Sequence, residues 1–354
     1  MVIAHCLLLF LVVASFRIAK PSVDDSFPNR RHCLPIKGVC IALVFLGHAG
    51  GYLYSSGTGG LSVFERFLFF FHDNFGQLVV VPFLFFSGYG VARSLELKGD
   101  GYLASIPMRR LFRTLSRFDI AVLCFIALNL ILGIQMSIRQ VVLSFVGWDS
   151  VGNSNWYIFI ILICYSATWI SALIGRAFSF SSNGKNCLLS LVIIIVMVAL
   201  TYHRDSFWYN TMLSYPAGAF YAGCRDRINR LFRGHFCLSL VVLGMLTVGV
   251  HVVTHYIRIP GGDIWYNFKS VAFALFVVCL MTRIELRSVP LSWMGENLFE
   301  IYIYQRLPMI VLVVLFPSMA IECRDGFVLA SAIATVGVVF LIGFIKNVKW
   351  VVRT

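Results

Sequence analysis

Lys37 and His48 stand eleven residues apart, at the two ends of the run Lys-Gly-Val-Cys-Ile-Ala-Leu-Val-Phe-Leu-Gly-His. Eleven steps of about 100° make about three full turns, so a helix puts both side chains on one face, roughly 16 Å apart along its axis. Ionisable groups inside an apolar span are expensive and are retained chiefly for function. A cation near one membrane face, with an imidazole near the midplane above it, suits an elongated, anionic-headed substrate whose reactive end reaches a base. The alternative for His48 is a plain hydrogen bond to a neighbouring carbonyl.

Other polar residues fall into apolar runs at matching depths. Pro82-Phe83-Leu84-Phe85-Phe86-Ser87-Gly88-Tyr89-Gly90 lies in the next span, which runs the opposite way and brings Ser87 and Gly88 to about the level of His48. Pro82 can free backbone groups, and Gly88 and Gly90 permit close helix approach; a kinked packing helix is the plainer reading. Arg109, Arg113 and Arg117 recur every four residues beside Arg110, as one stripe of a short interfacial helix. That stripe either holds lipid headgroups and anchors topology, or forms a phosphate-binding rim. Arg306 sits about 15 Å into its span, too deep to snorkel, either in a functional position or salt-bridged to Asp73, Glu65 or Glu300. His72-Asp73 either face an external acceptor or belong to a solvated loop. Asn155-Trp156-Tyr157 opens a span where an aromatic belt is expected. His251 and His255 are spaced like a metal pair but have no third ligand nearer in sequence than Asp263, so no metal is expected.

Helices must position these groups. The 354 residues are 59% hydrophobic and only 13% charged, with a mean hydropathy of +0.84, against roughly 25% charged in a soluble domain. This predicts an all-α, polytopic transmembrane helix bundle of about eleven spans: 2–19, 36–54, 77–95, 118–135, 155–175, 187–202, 208–222, 236–256, 264–282, 297–316 and 326–345. The runs 187–202 and 208–222 are the shortest or most interrupted. The first run lacks a basic leader and is followed, not preceded, by its positive charges, which argues for a retained helix rather than a signal peptide. Eleven spans collect 22 of the 29 basic residues on one side, in segments 17–37, 93–117, 176–185, 225–233, 283–287 and 346–353. The positive-inside rule makes that side the cytoplasm, with the N-terminus outside and the C-terminus inside. The net charge of +13 is thus mainly an orientation signal, and no nucleic-acid partner is expected. Ten scattered cysteines suggest neither a disulfide framework nor a zinc site.

Together these segments resemble the acyltransferase-3 family of bacterial integral-membrane O-acyltransferases. The family's first signature, a basic residue followed after ten others by histidine and often opening Arg-Gly or Lys-Gly, resembles Lys37-Gly38 through His48. Its phenylalanine-rich run ending Ser-Gly-Phe or Ser-Gly-Tyr resembles Phe83 through Tyr89. A basic loop and a Trp-Phe or Trp-Tyr helix start resemble Arg109-Arg110-Leu111-Phe112-Arg113 and Trp156-Tyr157. Of the late motif Gly-x-x-Ser-Tyr-x-x-Tyr-x-x-His, Gly295 and Tyr302 keep register, while Leu298, Phe299 and Gln305 replace serine, tyrosine and histidine, with Arg306 adjacent. The likeness spans about residues 30–345.

The resemblance implies a ten-helix core, with the first span an addition. It divides the chain into an N-terminal helix and linker (1–30), an acyltransferase-like membrane domain (31–346) and a short cytoplasmic tail (347–354). It also implies transfer of an acyl group, most often acetyl, from cytoplasmic acyl-CoA to an extracytoplasmic or lipid-linked glycan in the bacterial cytoplasmic membrane, with no bound cofactor. His48 would be base or acyl carrier. Lys37, Ser87, Gly88, Tyr89, Arg109, Arg110, Arg113, Trp156, Tyr302 and Arg306 would bind substrate. The rival reading from the residues is a transporter or flippase for a glycan or lipid-linked sugar, although the halves show no repeat. A structural membrane subunit is the third.

Overall fold

The computed structural model describes residues 1–18, 27–56, 61–257 and 262–351, with the main chain alone at 56, 255, 256 and 345–351. Of the basic set, Lys20 and Arg353 lie outside the described residues, as do the side chains of Lys346 and Lys349. The architecture is all-α. Its helices are α1 (Val2–Ser15), α2 (Arg30–Ser56), α3 (Val63–Phe75), α4 (Val81–Ile106), α5 (Arg113–Ile131), α6 (Ile138–Ser144), α7 (Trp156–Ala177), α8 (Ser182–Thr201), α9 (Ser214–Gly234), α10 (Phe236–Val252), α11 (Gly262–Met281), α12 (Val289–Glu296), α13 (Leu298–Tyr304), α14 (Arg306–Leu315), α15 (Pro317–Glu322) and α16 (Arg324–Val351). Helices are what an apolar chain must form in lipid, where every main-chain N–H and C=O needs an internal partner.

Among the described residues, seven helical stretches are long and apolar enough to cross a membrane, or eight if the bent pair α9–α10 is one span. The difference from eleven has identifiable causes. The 14-residue α1 reaches only about 21 Å, against a hydrocarbon core of about 30 Å. The 69-residue stretch Val63–Ile131 counts once. It is nevertheless broken at Gly99, whose φ of 53° and ψ of −136° belong to no helix, and a π turn over Pro107–Phe112 follows before α5. Helices α9 and α10 meet at 105° across His235.

Polar contacts sort the bundle into two ends. At one end a two-stranded antiparallel ribbon pairs β1 (Phe16–Ile18) with β2 (Ile284–Leu286), in the register Arg17 to Glu285. It clips the exit of α1 to the segment before α12. Arg30 pairs with Glu296 at 3.1 Å, Arg31 with Glu285 at 3.6 Å and Arg176 with Asp100 at 3.2 Å at this same basic end. At the other end His5 meets His72 at 3.0 Å, Arg204 pairs with Asp149 at 3.3 Å, and Tyr209 Oη donates to Asp263 at 3.2 Å. The capping box of Ser62 with Glu65 starts the amphipathic α3 there.

Two helix crossings bring main chain against main chain. A Cβ on Gly88 of α4 would strike the Tyr215 carbonyl of α9, and one on Gly218 would strike the Phe85 carbonyl. Likewise a Cβ on Gly38 of α2 would strike the Leu291 carbonyl of α12, and one on Gly295 the Leu34 carbonyl. Small residues at such crossings let helices approach where lipid supplies no hydrophobic drive. Gly88→Val is therefore expected to lower the thermal midpoint and folded yield in detergent, by an overpacking cost of about 1–3 kcal/mol or more. Gly90→Ala, with no atom near its Cβ, should be neutral or slightly stabilising. A Gly88→Val protein that melts with the wild type would mean the crossing is looser than described.

Candidate functional site

His48 lines a cavity of about 480 Å³ that opens at the end of the bundle opposite the ribbon. Its wall comes from α2, α3, the turn after α3, the start of α7 and α13, and includes His72, Asp73, Gln77, Trp156 and Tyr302. The imidazole Nδ1 of His48 is buried and has no hydrogen-bond partner among the described residues. A buried donor or acceptor left unsatisfied costs about 1–3 kcal/mol, so its retention calls for a reason beyond packing. The Tyr302 ring stands 6.3 Å from the His48 ring and 5.5 Å from that of Tyr157.

Arg306 stands beside this cavity. Its Nε donates to Tyr52 Oη at 3.3 Å, its guanidinium lies 5.4 Å from the Tyr52 ring, and Nη1 reaches the Asn153 carbonyl at 3.5 Å. Its charge acts on His48. None of the three carboxylates considered as its partner pairs with it among the described residues: Glu300 takes Arg117, Glu65 takes Ser62 and Arg324, and Asp73 lines the cavity. Neighbouring Gln305 is wholly buried; its Nε2 donates to the Tyr302 carbonyl at 3.3 Å and its Oε1 has no partner.

His72 lies over Gly47, the residue before His48, at 3.2 Å from where a Cβ would stand. The hydrogen bonds fix tautomers for the neutral pair. His5 Nδ1 donates to the Met1 carbonyl at 2.9 Å, which leaves His5 Nε2 to accept from His72 Nε2 at 3.0 Å. His72 Nδ1 is then the unprotonated nitrogen on the Gly47 side.

Lys37 occupies the other half of the same face of α2, as the spacing requires, but it is not part of the cavity wall. Its Nζ lies 5.9 Å from the Phe86 ring, within reach of the Arg110 charge. Arg110 sits over the Tyr165 ring at 5.7 Å and donates to Tyr102 Oη at 3.1 Å, and Ser87 hydrogen-bonds the Tyr165 hydroxyl. Ser87 and Arg110 thus meet at Tyr165, and Lys37 stands over neighbouring Phe86, toward the basic end of α2 from His48.

The remaining candidates lie apart. Gly88 is spent on the contact with α9, and Tyr89 turns to Tyr221 and Arg225. Arg109 and Arg113 are exposed, while Arg110 and Arg117 point inward. Arg109 and Arg113 stay on the exposed side, and the expected stripe ends at Arg117, which is drawn inward by buried Glu300. Trp156 caps the cavity at the start of α7, with its ring 6.0 Å from Phe207.

The sequence reading passed over three features. His5 and Gln77 gave no signal there, because one lies in an apolar run and the other is an ordinary polar residue near a helix start. Lys269 did give one, as an ionisable residue inside the apolar run 264–282. It is fully buried in α11, with Nζ 3.5 Å from the Tyr266 ring and 3.4 Å from His251 Nδ1. His251 is engaged there, and the side chain of His255 lies outside the described residues.

The inward and outward arginines should separate by experiment. Arg117 pairs with buried Glu300 and covers the Phe299 ring at 4.6 Å. Arg117→Ala would take the guanidinium from a buried carboxylate and should lower the melting midpoint, by a cost of up to about 3 kcal/mol. Arg113→Ala should melt within error of wild type. Equal melting of the two variants would remove Arg117 from the frame of the bundle.

No family model, curated protein or solved structure matches this chain, so residues and geometry alone carry the functional reading.

Proposed function

We propose that this protein is a membrane O-acyltransferase of the acyltransferase-3 type. It would move an acyl group, acetyl in the simplest case, from acyl-CoA at the basic end to a hydroxyl of an extracytoplasmic or lipid-linked glycan. The observation that carries the reading is the pairing on α2 of a half-buried cation with an imidazole that lines an open cavity and keeps a buried nitrogen unpartnered. The cavity admits the acceptor, with Asp73, Gln77 and Trp156 as hydrogen-bonding and stacking groups for a sugar. The donor's phosphates meet Lys37 and Arg110, and its pantetheine arm runs toward His48.

In the transfer step, His48 takes the proton of the acceptor hydroxyl as its oxygen attacks the thioester carbonyl. The C–S bond breaks, an ester forms, and the proton passes to the departing thiolate, so acyl-CoA and alcohol become ester and free thiol. Arg306, with no carboxylate to neutralise it among the described residues, supplies positive charge where the carbonyl oxygen becomes anionic. An alternative path through a transient acyl-histidine uses the same groups.

This reading takes the bundle as eleven crossings of a bacterial cytoplasmic membrane, with the N-terminus outside. Dividing Val63–Ile131 at Gly99, counting α9 and α10 separately and admitting α1 supports that number. Reporter fusions after Asp100, Arg233 and Lys349 should all report cytoplasm, and a periplasmic signal at any of them overturns the arrangement.

The catalytic test is His48→Ala, which should reach the membrane at near-normal level yet lose acyl transfer by at least about a hundredfold. Lys37→Arg should keep much of the activity, whereas Lys37→Ala should weaken donor binding, since a cation at that depth is what matters. Radiolabelled acyl-CoA with the purified protein separates this reading from a transporter, which would neither release nor transfer the label. Full transfer by a well-expressed His48→Ala protein sinks the mechanism.

A further inference from the structure

A second cavity, of about 420 Å³, lies at the basic end, walled by α4, α7, α8 and α9, and shares no residue with the His48 cavity. Its floor is Gly88, Thr168, Leu189 and Tyr215, and its mouth is Glu96, the first turn of α8 and Gly223. Floor and mouth are eight residues apart on both α4 and α9, or about 12 Å. Between them the wall includes the small apolar side chains of Ala92, Ala172 and Ala219.

The polar groups of this cavity are arranged for an anion. The 20-residue α8 begins at the mouth. Its N-cap Ser181 accepts from the Gly184 N–H at 3.2 Å, and the Ser181 carbonyl takes the Lys185 N–H at 3.0 Å. Helix geometry leaves the N–H groups of Ser182 and Asn183 without an acceptor, at the positive end of the helix dipole. Lys185 lines the same mouth, its stem laid over Gly175, and forms no ion pair among the described residues. The one carboxylate in the wall, Glu96, is already held by Arg93 at 2.6 Å.

A separate observation points to a ligand deeper in. Ser171 is 1% exposed, lines the cavity, and has a hydroxyl with no partner. Its neighbours are satisfied: Thr168 donates to the Cys164 carbonyl at 2.8 Å and accepts from Tyr215 at 2.9 Å, and Asn186 donates to the Ala219 carbonyl. Ser171 is the one buried hydroxyl without a partner in this wall among the described residues, and a group entering the cavity can supply the missing hydrogen bond.

We propose that this cavity binds a phosphate ester, with the phosphate seated on the first turn of α8 and Lys185. A slender stem would run inward past the three alanines to hydrogen-bond Ser171. The site stands independently of acyl transfer. Two sources carry such a group: a soluble phosphate ester such as coenzyme A, and a phospholipid headgroup entering from the bilayer.

The test uses the full chain purified in neutral detergent, titrated calorimetrically with coenzyme A and separately with inorganic pyrophosphate, with native mass spectrometry for retained phospholipid. Wild type should bind at least one soluble probe or retain one phospholipid. Lys185→Ala and Ser182→Glu should each weaken that binding by about tenfold, the weight of one charged contact. Ser182→Glu guards against misfolding, because a carboxylate at a helix N-terminus favours the helix while repelling an anion; its melting midpoint should equal or exceed wild type. Ser171→Ala should weaken coenzyme A or lipid and leave pyrophosphate unchanged, since pyrophosphate has no stem. Soluble-probe binding that Lys185→Ala weakens identifies the soluble source and separates it from donor binding at Lys37 and Arg110, and retained lipid lost in Lys185→Ala identifies the lipid. Wild-type binding by both Lys185→Ala and Ser182→Glu, or no binding of any probe by wild type, overturns the site. Loss of transfer in His48→Ala with phosphate binding intact would leave this site standing, so the two proposals fail separately.

Discussion

The contact of α2 with α12 is the constraint on which the candidate site depends. Gly38 presses on the Leu291 carbonyl and Gly295 on the Leu34 carbonyl, so the two helices touch through main chain with no side chain between them. Helix α2 carries Lys37 and His48, and α12 leads through α13 to Tyr302, Gln305 and Arg306. A rigid, side-chain-free crossing at the basic end therefore sets the position of His48 relative to Tyr302 and Arg306 about three turns higher. The Gly88–Gly218 crossing does the same for α4 and α9, and holds Ser87 against Tyr165.

Both glycine pairs explain why adjacent residues can have unlike roles. Within Ser87-Gly88-Tyr89, successive side chains point about 100° apart. Ser87 meets Tyr165, Gly88 admits the α9 backbone, and Tyr89 reaches Arg225. A motif read as one substrate-binding unit is thus, in three dimensions, one polar contact, one packing contact and one contact at the basic end. A substitution at Gly88 would disturb function first by moving the helix, because its Cβ would strike the Tyr215 carbonyl.

What the sequence made legible was whatever follows from period and polarity. The helical class, the common face of Lys37 and His48, and the gathering of basic residues at one end all follow from about 100° per residue and the cost of charge in lipid. What it hid were features set by local breaks. The break at Gly99 and the π turn at Pro107–Phe112 interrupt the long helical stretch, and no pattern in Arg109-Arg110-Leu111-Phe112-Arg113 announces the turn. The His5–His72 contact joins residues 67 positions apart in sequence, which only the packing of α1 on the bundle could reveal.

Partnership distinguishes the polar groups more sharply than depth does. Lys269 is as deeply buried as any residue here, yet an aromatic face and an imidazole surround its ammonium, so it reads as a brace. The Arg117–Glu300 pair and the Asn129 amide, which donates to the Val151 carbonyl at 2.8 Å, are braces in the same sense. His48 Nδ1, Tyr302 Oη, Gln305 Oε1 and Ser171 Oγ are among the buried side-chain atoms with no partner among the described residues, as are Thr211 Oγ1 and Ser331 Oγ, which line neither cavity. Each carries an uncompensated desolvation cost that a purely structural residue would shed by substitution to an apolar one. His48 lines one cavity and Ser171 the other. Beneath the His48 cavity the interior is aromatic, with Tyr302 edge-on to Tyr157 at 5.5 Å and Tyr157 edge-on to Phe83 at 6.1 Å. The orphan groups that face open space are thus reached from different cavities, which share no lining residue, so substitutions in one wall leave the other wall in place.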